Sequence, residues 1–151
     1  MRVLIVCSGN TCRSPLAEAV LQRLLAEAGR NDVAVTSAGT GAYEGAPASE
    51  GAFLVALESG LDLSGHRARL LTREMVGEAD LILTMARGHL GRVERLGGSA
   101  RAYLLAEYAA SSDQEVKDPY GGDVEGYRAT LLQLEKLLAS ARDRLVAERP
   151  S

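Results

Sequence analysis

Near the amino end of the chain, a cysteine and an arginine enclose a short run of small and polar residues. The stretch reads Cys7, Ser8, Gly9, Asn10, Thr11, Cys12, Arg13, Ser14. When a short loop wraps around the start of a helix, its backbone N–H groups point inward and form a nest that binds tetrahedral oxyanions. We expect Gly9 to supply the positive φ angle that such a nest requires. All residues from Ser8 to Ser14 are therefore predicted to bind an oxyanion such as a phosphoryl group.

Arg13 and Cys7 would give this oxyanion site its chemistry. The planar fork of an arginine can hold two phosphoryl oxygens at once, and the dipole of the following helix adds positive potential at the same point. That potential lowers the pKa of a thiol, so we expect Cys7 to be populated as the thiolate. A thiolate beneath a bound phosphoryl group is an in-line nucleophile. The alternative is that Cys7 is a small buried apolar residue at the end of a strand.

Strands and helices alternate along the chain, and this alternation must position the loop. The pattern predicts strands at 2–6, 33–37, 79–85 and 101–105, and helices at 14–28, 48–59, 72–77, 88–96 and 124–145. Ser14 is the predicted N-cap of the first helix. Alternating strands and helices indicate a parallel sheet that is covered on both faces. In such folds ligands bind beyond the carboxyl ends of the strands, which is where the loop at 7–14 lies.

Length, composition and charge limit the class of protein. The 151 residues, of which 46% are hydrophobic and 25% charged, predict one globular domain over 1–151. A net charge of −3 and a pI near 5.4 give no overall attraction to nucleic acids. No run approaches the roughly 20 apolar residues that span a membrane, and we expect no signal peptide. With two cysteines and two histidines, a disulfide-stapled secreted domain is not expected, so the predicted location is the cytoplasm. We also expect a monomer that binds neither nucleic acid nor membrane.

Longer stretches of the sequence resemble a known family. The segment VCSGNTCRSPLAEA at 6–19 is similar to the signature loop of the low-molecular-weight protein tyrosine phosphatases. The resemblance covers essentially the whole chain, through TSAGT at 36–40, GHRAR at 65–69, ADLILTM at 79–85 and DPYGG at 118–122. It implies a three-layer α/β fold, phosphotyrosine protein phosphatase I-like and Rossmann-like, with a central four-stranded parallel sheet flanked by helices. It also implies that phosphorylated proteins or peptides are hydrolysed through a phosphocysteine intermediate.

The resemblance assigns roles to residues of the loop. Cys7 would be the nucleophile, and Arg13 would bind the phosphoryl group and stabilise the transition state. Ser14 would hydrogen-bond the thiolate and aid its departure. Asn10 would hold the strained shape of the loop.

Three residues outside the loop complete the site that the resemblance implies. Ser37 and His66 resemble family residues that hydrogen-bond to Asn10, which makes His66 a structural residue. Asp118, in the DP motif, would be the general acid that protonates the leaving oxygen or nitrogen, and its carboxylate would then activate water. An aspartate in this setting also commonly starts a turn, and both interpretations of Asp118 can hold together.

The choice of substrate depends on Thr11, Tyr43 and Tyr120. The resemblance places the two tyrosines at the walls of the pocket, where they would flank a phenol ring or a guanidinium plane; the alternative is that they pack in the core. Tyrosine-specific members usually carry a branched apolar residue at position 11, whereas the known protein arginine phosphatases carry threonine. The glycines after Tyr120 also resemble the arginine-specific group, while Tyr43 and GHRAR resemble the tyrosine-specific one. We therefore expect phosphoarginine as the substrate, with phosphotyrosine as the alternative.

Cys12 lies in the same turn as Cys7, which places the two sulfurs within disulfide reach. A reactive thiolate is easily oxidised, and a neighbouring thiol can trap its sulfenic acid as a reversible disulfide. The sequence therefore suggests redox regulation through Cys7 and Cys12. The alternative is that Cys12 is a buried structural residue.

No metal ion or cofactor is expected in this chain. Cys7, Cys12, His66 and His89 lack the paired spacing of a zinc ligand set. His89 lies on a charged helix and is predicted to face solvent. A thiolate, an arginine and a carboxylate complete the implied reaction by themselves.

Other functions are open to a chain with this oxyanion loop. An arsenate reductase uses a related fold and the same loop, but it ordinarily needs a further reactive cysteine downstream, and residues 13–151 contain none. A non-catalytic phosphoprotein-binding module or redox sensor would not need Cys7, Arg13, Ser14 and Asp118 together. A nucleotide site is not favoured, because the patterns GxGxxG and GxxxxGK[ST] are absent.

Overall fold

Four parallel strands form the central sheet of the molecule. The computed structural model describes residues 1–148, so residues 149–151 of the predicted domain lie outside the described part. The strands are β1 (Arg2–Cys7), β2 (Ala34–Gly39), β3 (Leu81–Thr84) and β4 (Ala102–Leu104). They lie in the order β2-β1-β3-β4, and every neighbouring pair is parallel. This order places β1 inside the sheet, which is why its apolar run is continuous rather than alternating.

Helices cover both faces of the sheet, so the three-layer α/β fold expected from the sequence is confirmed. In chain order the helices are α1 (Arg13–Glu27), α2 (Glu50–Glu58), α3 (Arg73–Glu78), α4 (Arg87–Arg95), α5 (Leu105–Ala110) and α6 (Val124–Ala147). Residues of α1, α2, α5 and α6 form one apolar core against the sheet, and residues of α3 and α4 form a second core on the opposite face. Within residues 1–148, no helix has both the length and the apolar composition that a membrane span requires.

The carboxyl end of β1 and the amino end of α1 meet at one edge of the sheet. Cys7 ends β1 and Arg13 begins α1, so the oxyanion loop is the short connection between them. The prediction that Ser14 caps α1 is wrong, because Cys12 occupies the N-cap position and makes no side-chain cap. Ser14 lies inside the first turn, where its hydroxyl contacts the Cys7 sulfur instead.

The segment that contains β4 and α5 departs from the sequence prediction. A strand is predicted over 101–105, whereas β4 ends at Leu104 and α5 begins at Leu105. The apolar residues of this stretch fit either structure, and as a helix they bury Leu105, Ala106 and Tyr108. The strand is short because β4 is an edge strand that pairs with β3 over three residues.

Candidate active site

Asn10 makes the turn of the loop between β1 and α1. Its φ angle is 56°, in the left-handed region that asparagine tolerates better than most residues. The expected positive φ angle at Gly9 is wrong, since the loop turns one residue later. The buried Asn10 side chain donates to the hydroxyls of Ser14 at 2.8 Å and Ser37 at 2.9 Å, and it accepts from the backbone N–H of Arg69 at 2.9 Å. These three hydrogen bonds hold the strained turn in place.

Two further contacts fix the loop from outside. The Nε2 atom of His66 lies 2.6 Å from the backbone oxygen of Asn10. Gly39, at the end of β2, lies so close to the loop that a Cβ atom there would be 2.5 Å from the carbonyl oxygen of Ser8. Only glycine fits at this position, and sequence reasoning gave it no role although it lies in the TSAGT stretch.

The Cys7 thiol lies at the bottom of the loop and is 2% exposed. Its sulfur is 2.8 Å from the Ser14 hydroxyl, and it accepts from the backbone N–H of Asn10 at 3.3 Å. Burial raises the pKa of the Cys7 thiol, while the hydrogen bonds of Ser14 and Asn10 and the charge of Arg13 lower it. The expected lowering of this pKa is wrong in its net direction, because burial outweighs the groups that stabilise the thiolate.

The Arg13 guanidinium joins the loop to a distant part of the chain. Its Nη1 donates to the carbonyl oxygen of Val116 at 3.1 Å, and its Nη2 donates to the Ser8 hydroxyl at 3.4 Å. Nη2 also lies 3.6 Å from a carboxylate oxygen of Asp118. Arg13 is buried, whereas the Asp118 side chain is half exposed. The charged pair therefore reaches from the base of the loop to the protein surface.

A cavity of about 450 Å³ opens on the loop. Its lining residues come from the loop and from two other segments, namely Cys7, Ser8, Gly9, Thr11, Cys12, Arg13, Gly41, Tyr43, Ala46, Asp118 and Tyr120. Tyr43 is 86% exposed and Tyr120 is 74% exposed, which excludes the alternative that either tyrosine packs in the core. Two aromatic rings therefore stand at the mouth of the cavity, where a flat side chain can lie between or against them.

Asp118 takes part in a turn and in the cavity at the same time. Its Oδ1 accepts from the backbone N–H of Tyr120 at 3.0 Å, while its Oδ2 faces Arg13. Gly121 follows with a φ angle of 80°, and Gly122 closes the turn with a hydrogen bond to the carbonyl oxygen of Pro119 at 2.9 Å. The turn thus fixes Tyr120 beside the carboxylate.

His89 is buried, so the prediction that it faces solvent is wrong. It lies in the first turn of α4, and its Nε2 is 3.0 Å from the hydroxyl oxygen of Ser8. Burial and the nearby charge of Arg13 lower the pKa of His89 to about 4. The spacing of the sequence could have revealed this burial, because His89 and Val93 are four residues apart and share one helix face. Val93 belongs to the second core.

Comparison with known proteins assigns the chain to a family. It matches the family described as low molecular weight phosphotyrosine protein phosphatase over residues 2–150. The chain belongs to this family. The phosphatase is 37% identical to a protein-arginine-phosphatase of Geobacillus stearothermophilus over 98% of each chain. It is also 37% identical to the low molecular weight protein-tyrosine-phosphatase Wzb of Escherichia coli K12 over 97% of each chain.

A solved structure extends the similarity of this phosphatase to three dimensions. The YwlE arginine phosphatase, in a mutant with a phosphorylated active-site serine, superposes with a TM-score of 0.94 at 34% identity. The match covers 99% of this phosphatase and 98% of that chain. The relatives thus include enzymes of both substrate classes that the sequence left open.

Cys12 of the phosphatase is buried between the loop and two helices. Its sulfur lies 3.1 Å from the hydroxyl oxygen of Ser49, the N-cap residue of α2, and 3.7 Å from that of Tyr127 on α6. Cys7 and Cys12 are both free thiols, and both line the cavity. Cys12 therefore makes structural contacts and is also placed for chemistry in the cavity.

The polar groups that face the cavity of the phosphatase are thiols, hydroxyls, a guanidinium and a carboxylate. Among residues 1–148, no group of three or more histidine, cysteine, aspartate or glutamate side chains could hold a metal ion. The expectation that the reaction needs neither metal nor cofactor stays a prediction.

Proposed function

We propose that this phosphatase removes phosphoryl groups from protein side chains through a phosphocysteine formed on Cys7. The observation that carries the proposal is the position of the Cys7 sulfur in a cavity whose wall also holds Arg13 and Asp118. A nucleophile, an anion-binding guanidinium and a carboxylate therefore share one space. The solved relative with a phosphorylated active-site serine supports a covalent phospho-enzyme mechanism, because it carries a phosphorylated side chain at its active site.

In the first step the Cys7 thiol gives its proton to a phosphoryl oxygen of the bound substrate, and the resulting thiolate attacks the phosphorus atom. The S–P bond forms as the P–O or P–N bond to the substrate side chain breaks. Asp118 in its acid form donates its proton to the leaving oxygen or nitrogen. N–H groups of Arg13 and of the loop backbone bind the other phosphoryl oxygens and stabilise the charge of the transition state.

In the second step water releases phosphate from Cys7. The Asp118 carboxylate accepts a proton from the water as the water oxygen bonds to phosphorus. The S–P bond breaks, and its electron pair returns to the sulfur as a thiolate. The Ser14 hydroxyl, 2.8 Å from this sulfur, stabilises the thiolate as it leaves.

The substrate we propose is phosphoarginine on proteins. Thr11 lines the cavity, and its hydroxyl oxygen lies 3.8 Å from the Cys12 sulfur. Because this contact is long, the hydroxyl oxygen can instead accept a hydrogen bond from a guanidinium N–H of the substrate. The half-exposed Asp118 side chain can accept a hydrogen bond from a guanidinium N–H, and Tyr43 and Tyr120 can flank the guanidinium plane. The protein-arginine-phosphatase of Geobacillus stearothermophilus, at 37% identity, supports this choice.

Hydrolysis of phosphotyrosine is the second candidate. Tyr43 and Tyr120 can flank a phenol ring as well as a guanidinium. The tyrosine phosphatase Wzb has the same sequence identity to this chain, 37%, as the arginine phosphatase. These relatives are named as phosphatases, which disfavours arsenate reduction and phosphoprotein binding without hydrolysis.

Phosphate release from matched phosphoarginine and phosphotyrosine peptides tests both the reaction and the substrate. The native protein is expected to release phosphate from at least one peptide, and Cys7→Ser is expected to release none under the same reducing conditions. Release that is unchanged in Cys7→Ser would contradict the phosphocysteine mechanism. Absence of release from both peptides by the native protein would contradict the proposed function itself.

Two substitutions of Thr11 test the substrate preference. Thr11→Val removes the hydroxyl with little change of shape, and Thr11→Ser keeps the hydroxyl. We expect Thr11→Val to lower kcat/KM for phosphoarginine about tenfold and to change kcat/KM for phosphotyrosine by less than about threefold. Thr11→Ser is expected to keep the native preference. If the native protein prefers phosphotyrosine, the proposed specificity for phosphoarginine is wrong.

A further inference from the structure

A chain of hydrogen bonds runs from the start of α4 to the oxyanion loop. The backbone N–H of Ala86 donates to Nδ1 of His89 at 3.1 Å, and Nε2 of the same ring lies 3.0 Å from the hydroxyl oxygen of Ser8. His89 is 6% exposed, so its ring is held between these two partners. None of the catalytic roles proposed above uses this histidine.

The contacts of the His89 ring decide where its hydrogen lies. Nδ1 accepts the N–H of Ala86 and so carries no hydrogen, which places the hydrogen of a neutral ring on Nε2. The ring stays neutral near pH 7, because burial and the charge of Arg13 lower the pKa of His89 to about 4. Nε2 is therefore the donor in the hydrogen bond to Ser8.

The Ser8 oxygen receives a second hydrogen bond, from Nη2 of Arg13 at 3.4 Å. With one donor on each of its two lone pairs, the oxygen accepts no further bond, and the hydroxyl hydrogen is left for another partner. Ser8 lines the cavity together with Cys7. The hydroxyl hydrogen of Ser8 is therefore available to an acceptor that enters the cavity.

We propose that His89 orients the Ser8 side chain as a fixed hydrogen-bond donor to the phosphoryl group in the cavity. Ser8 then touches the substrate, and His89 is a positioning residue that acts through Ser8. The inference rests on the proposed function and adds a side-chain donor to the backbone N–H groups of the loop. A hydroxyl oriented in this way favours a deprotonated phosphoryl oxygen, because that oxygen is the stronger acceptor.

Two substitutions of His89 separate its bond to Ser8 from its bond to Ala86. In His89→Asn the side-chain oxygen can replace Nδ1 and accept from Ala86, but the amide is too short to reach Ser8. In His89→Gln the amide N–H can replace Nε2 and donate to Ser8. The probe is orthovanadate, whose affinity is measured by isothermal titration calorimetry and does not depend on turnover.

His89→Asn and Ser8→Ala are each expected to weaken orthovanadate binding about tenfold, whereas His89→Gln stays within about threefold of the native affinity. In the Ser8→Ala background, His89→Asn is expected to cause no further loss, because both changes remove the same donor. Arg92→Gln is the matched control, since Arg92 is an exposed residue of the same helix. Thermal melting of each variant shows that it is folded.

Nitrogen NMR of the imidazole ring gives a readout that does not depend on affinity. The His89 hydrogen is expected on Nε2 in the native protein, and a hydrogen on Nδ1 overturns the inference. Native affinity in both His89→Asn and Ser8→Ala overturns the inference alone, because the cavity then still binds the oxyanion. The inference is also overturned if His89→Asn lowers orthovanadate affinity equally in the native and the Ser8→Ala proteins. A native protein that neither binds orthovanadate nor releases phosphate overturns the proposed function, and the inference falls with it.

Discussion

Ser14 connects the shape of the oxyanion loop to the chemistry of the thiol. Its hydroxyl oxygen lies 2.8 Å from the Cys7 sulfur and 2.8 Å from the side-chain nitrogen of Asn10. Because the Asn10 amide can only donate to this oxygen, the hydroxyl hydrogen is left for the sulfur. The Ser14 side chain therefore both holds the loop and stabilises the thiolate.

Removal of the Ser14 hydroxyl is expected to raise the pKa of Cys7 further. Ser14 lowers this pKa in the native protein, so Ser14→Ala removes a group that favours the thiolate. The midpoint of Cys7 alkylation by iodoacetamide, followed by mass spectrometry across pH, is expected to move to higher pH. Ser37→Ala is the control, because it also removes a bond from Asn10 but leaves Cys7 its partner. An equal shift in the control would mean that Ser14 acts only through the loop.

Cys12 is expected to protect Cys7 from irreversible oxidation. Peroxide converts the Cys7 thiolate to a sulfenic acid, and the Cys12 thiol then forms the S–S bond as water leaves. Phosphatase activity lost to peroxide should return with a thiol reductant in the native protein, and should not return in Cys12→Ser. The serine keeps a polar group beside Ser49, so the loop contacts are retained. Identical recovery in both proteins would exclude a protective role.

At the residue scale, the residues predicted for the site lie together in the structure, but their local geometry differs from the prediction. Cys7, Arg13 and Asp118 follow from chemistry and resemblance, and the structure brings all three to one cavity. The positive φ angle at Asn10 was not predictable from the loop sequence, because it depends on partners supplied by β2 and by the segment before α3. The burial of His89 was missed for a different reason: the charged neighbours on α4 obscured the buried face that His89 shares with Val93.

Among the elements, α4 is expected to make the stability of the protein depend on pH. The pKa of His89 is lowered from 6.5 to about 4 by burial and by Arg13, against the opposing carboxylates of Glu115 and Asp118. Below pH 6.5 the unfolded chain therefore binds a proton that the folded chain refuses, so stability falls as the pH falls towards 4. The loss reaches about 3 kcal/mol if this group acts alone.

Urea unfolding of the native protein and His89→Gln at pH 7 and pH 4.5 measures this effect. Glutamine does not titrate, so the native protein is expected to lose more stability than the variant over this range. Other groups, such as Asp32 with its pKa lowered to about 2, contribute equally to both proteins. Equal losses would show that His89 is not protonated differently in the two states.

The contact between α2 and α6 offers a matched pair of glycine substitutions. A Cβ atom on Gly51 of α2 would lie 2.6 Å from the ring carbon Cζ of the buried Tyr127, so Gly51→Ala is expected to destabilise the protein by about 1–3 kcal/mol. Gly91 of α4 faces open space, and Gly91→Ala is expected to stabilise by about 0.5–1 kcal/mol. Chemical denaturation measures both changes. A stabilising Gly51→Ala would mean that Tyr127 moves aside freely.

The periodic elements were predicted from the sequence to within a few residues, and α5 was missed. The amphipathic spacing from Val124 onward predicts α6, which extends to Ala147. Such spacing is informative because it repeats over many turns. A six-residue helix such as α5 offers fewer than two turns, so the pattern could not distinguish it from a strand.

For the whole molecule, the sequence predicted the layers and could not predict the order of the strands. Alternation of strands and helices requires a parallel sheet with helices on both faces. The order β2-β1-β3-β4 depends on which strand is buried on both sides, and several strands of this chain are apolar enough to qualify. The order matters for the site, because it places the ends of β1 and β2 side by side, with Cys7 opposite Gly39.

Because Asn10 is held by partners from separate parts of the chain, the oxyanion binding proposed for the loop would be linked to folding in one equilibrium. Ser14, Ser37, His66 and Arg69 come from α1, β2 and the segment before α3, so none of them can leave without loosening the turn. An oxyanion that binds the folded chain alone stabilises it by about 2.7 kcal/mol at 100 times its Kd. The phosphate that the reaction releases would thus act on the enzyme that produced it. It would compete with substrate for the cavity, and it would stabilise the folded state.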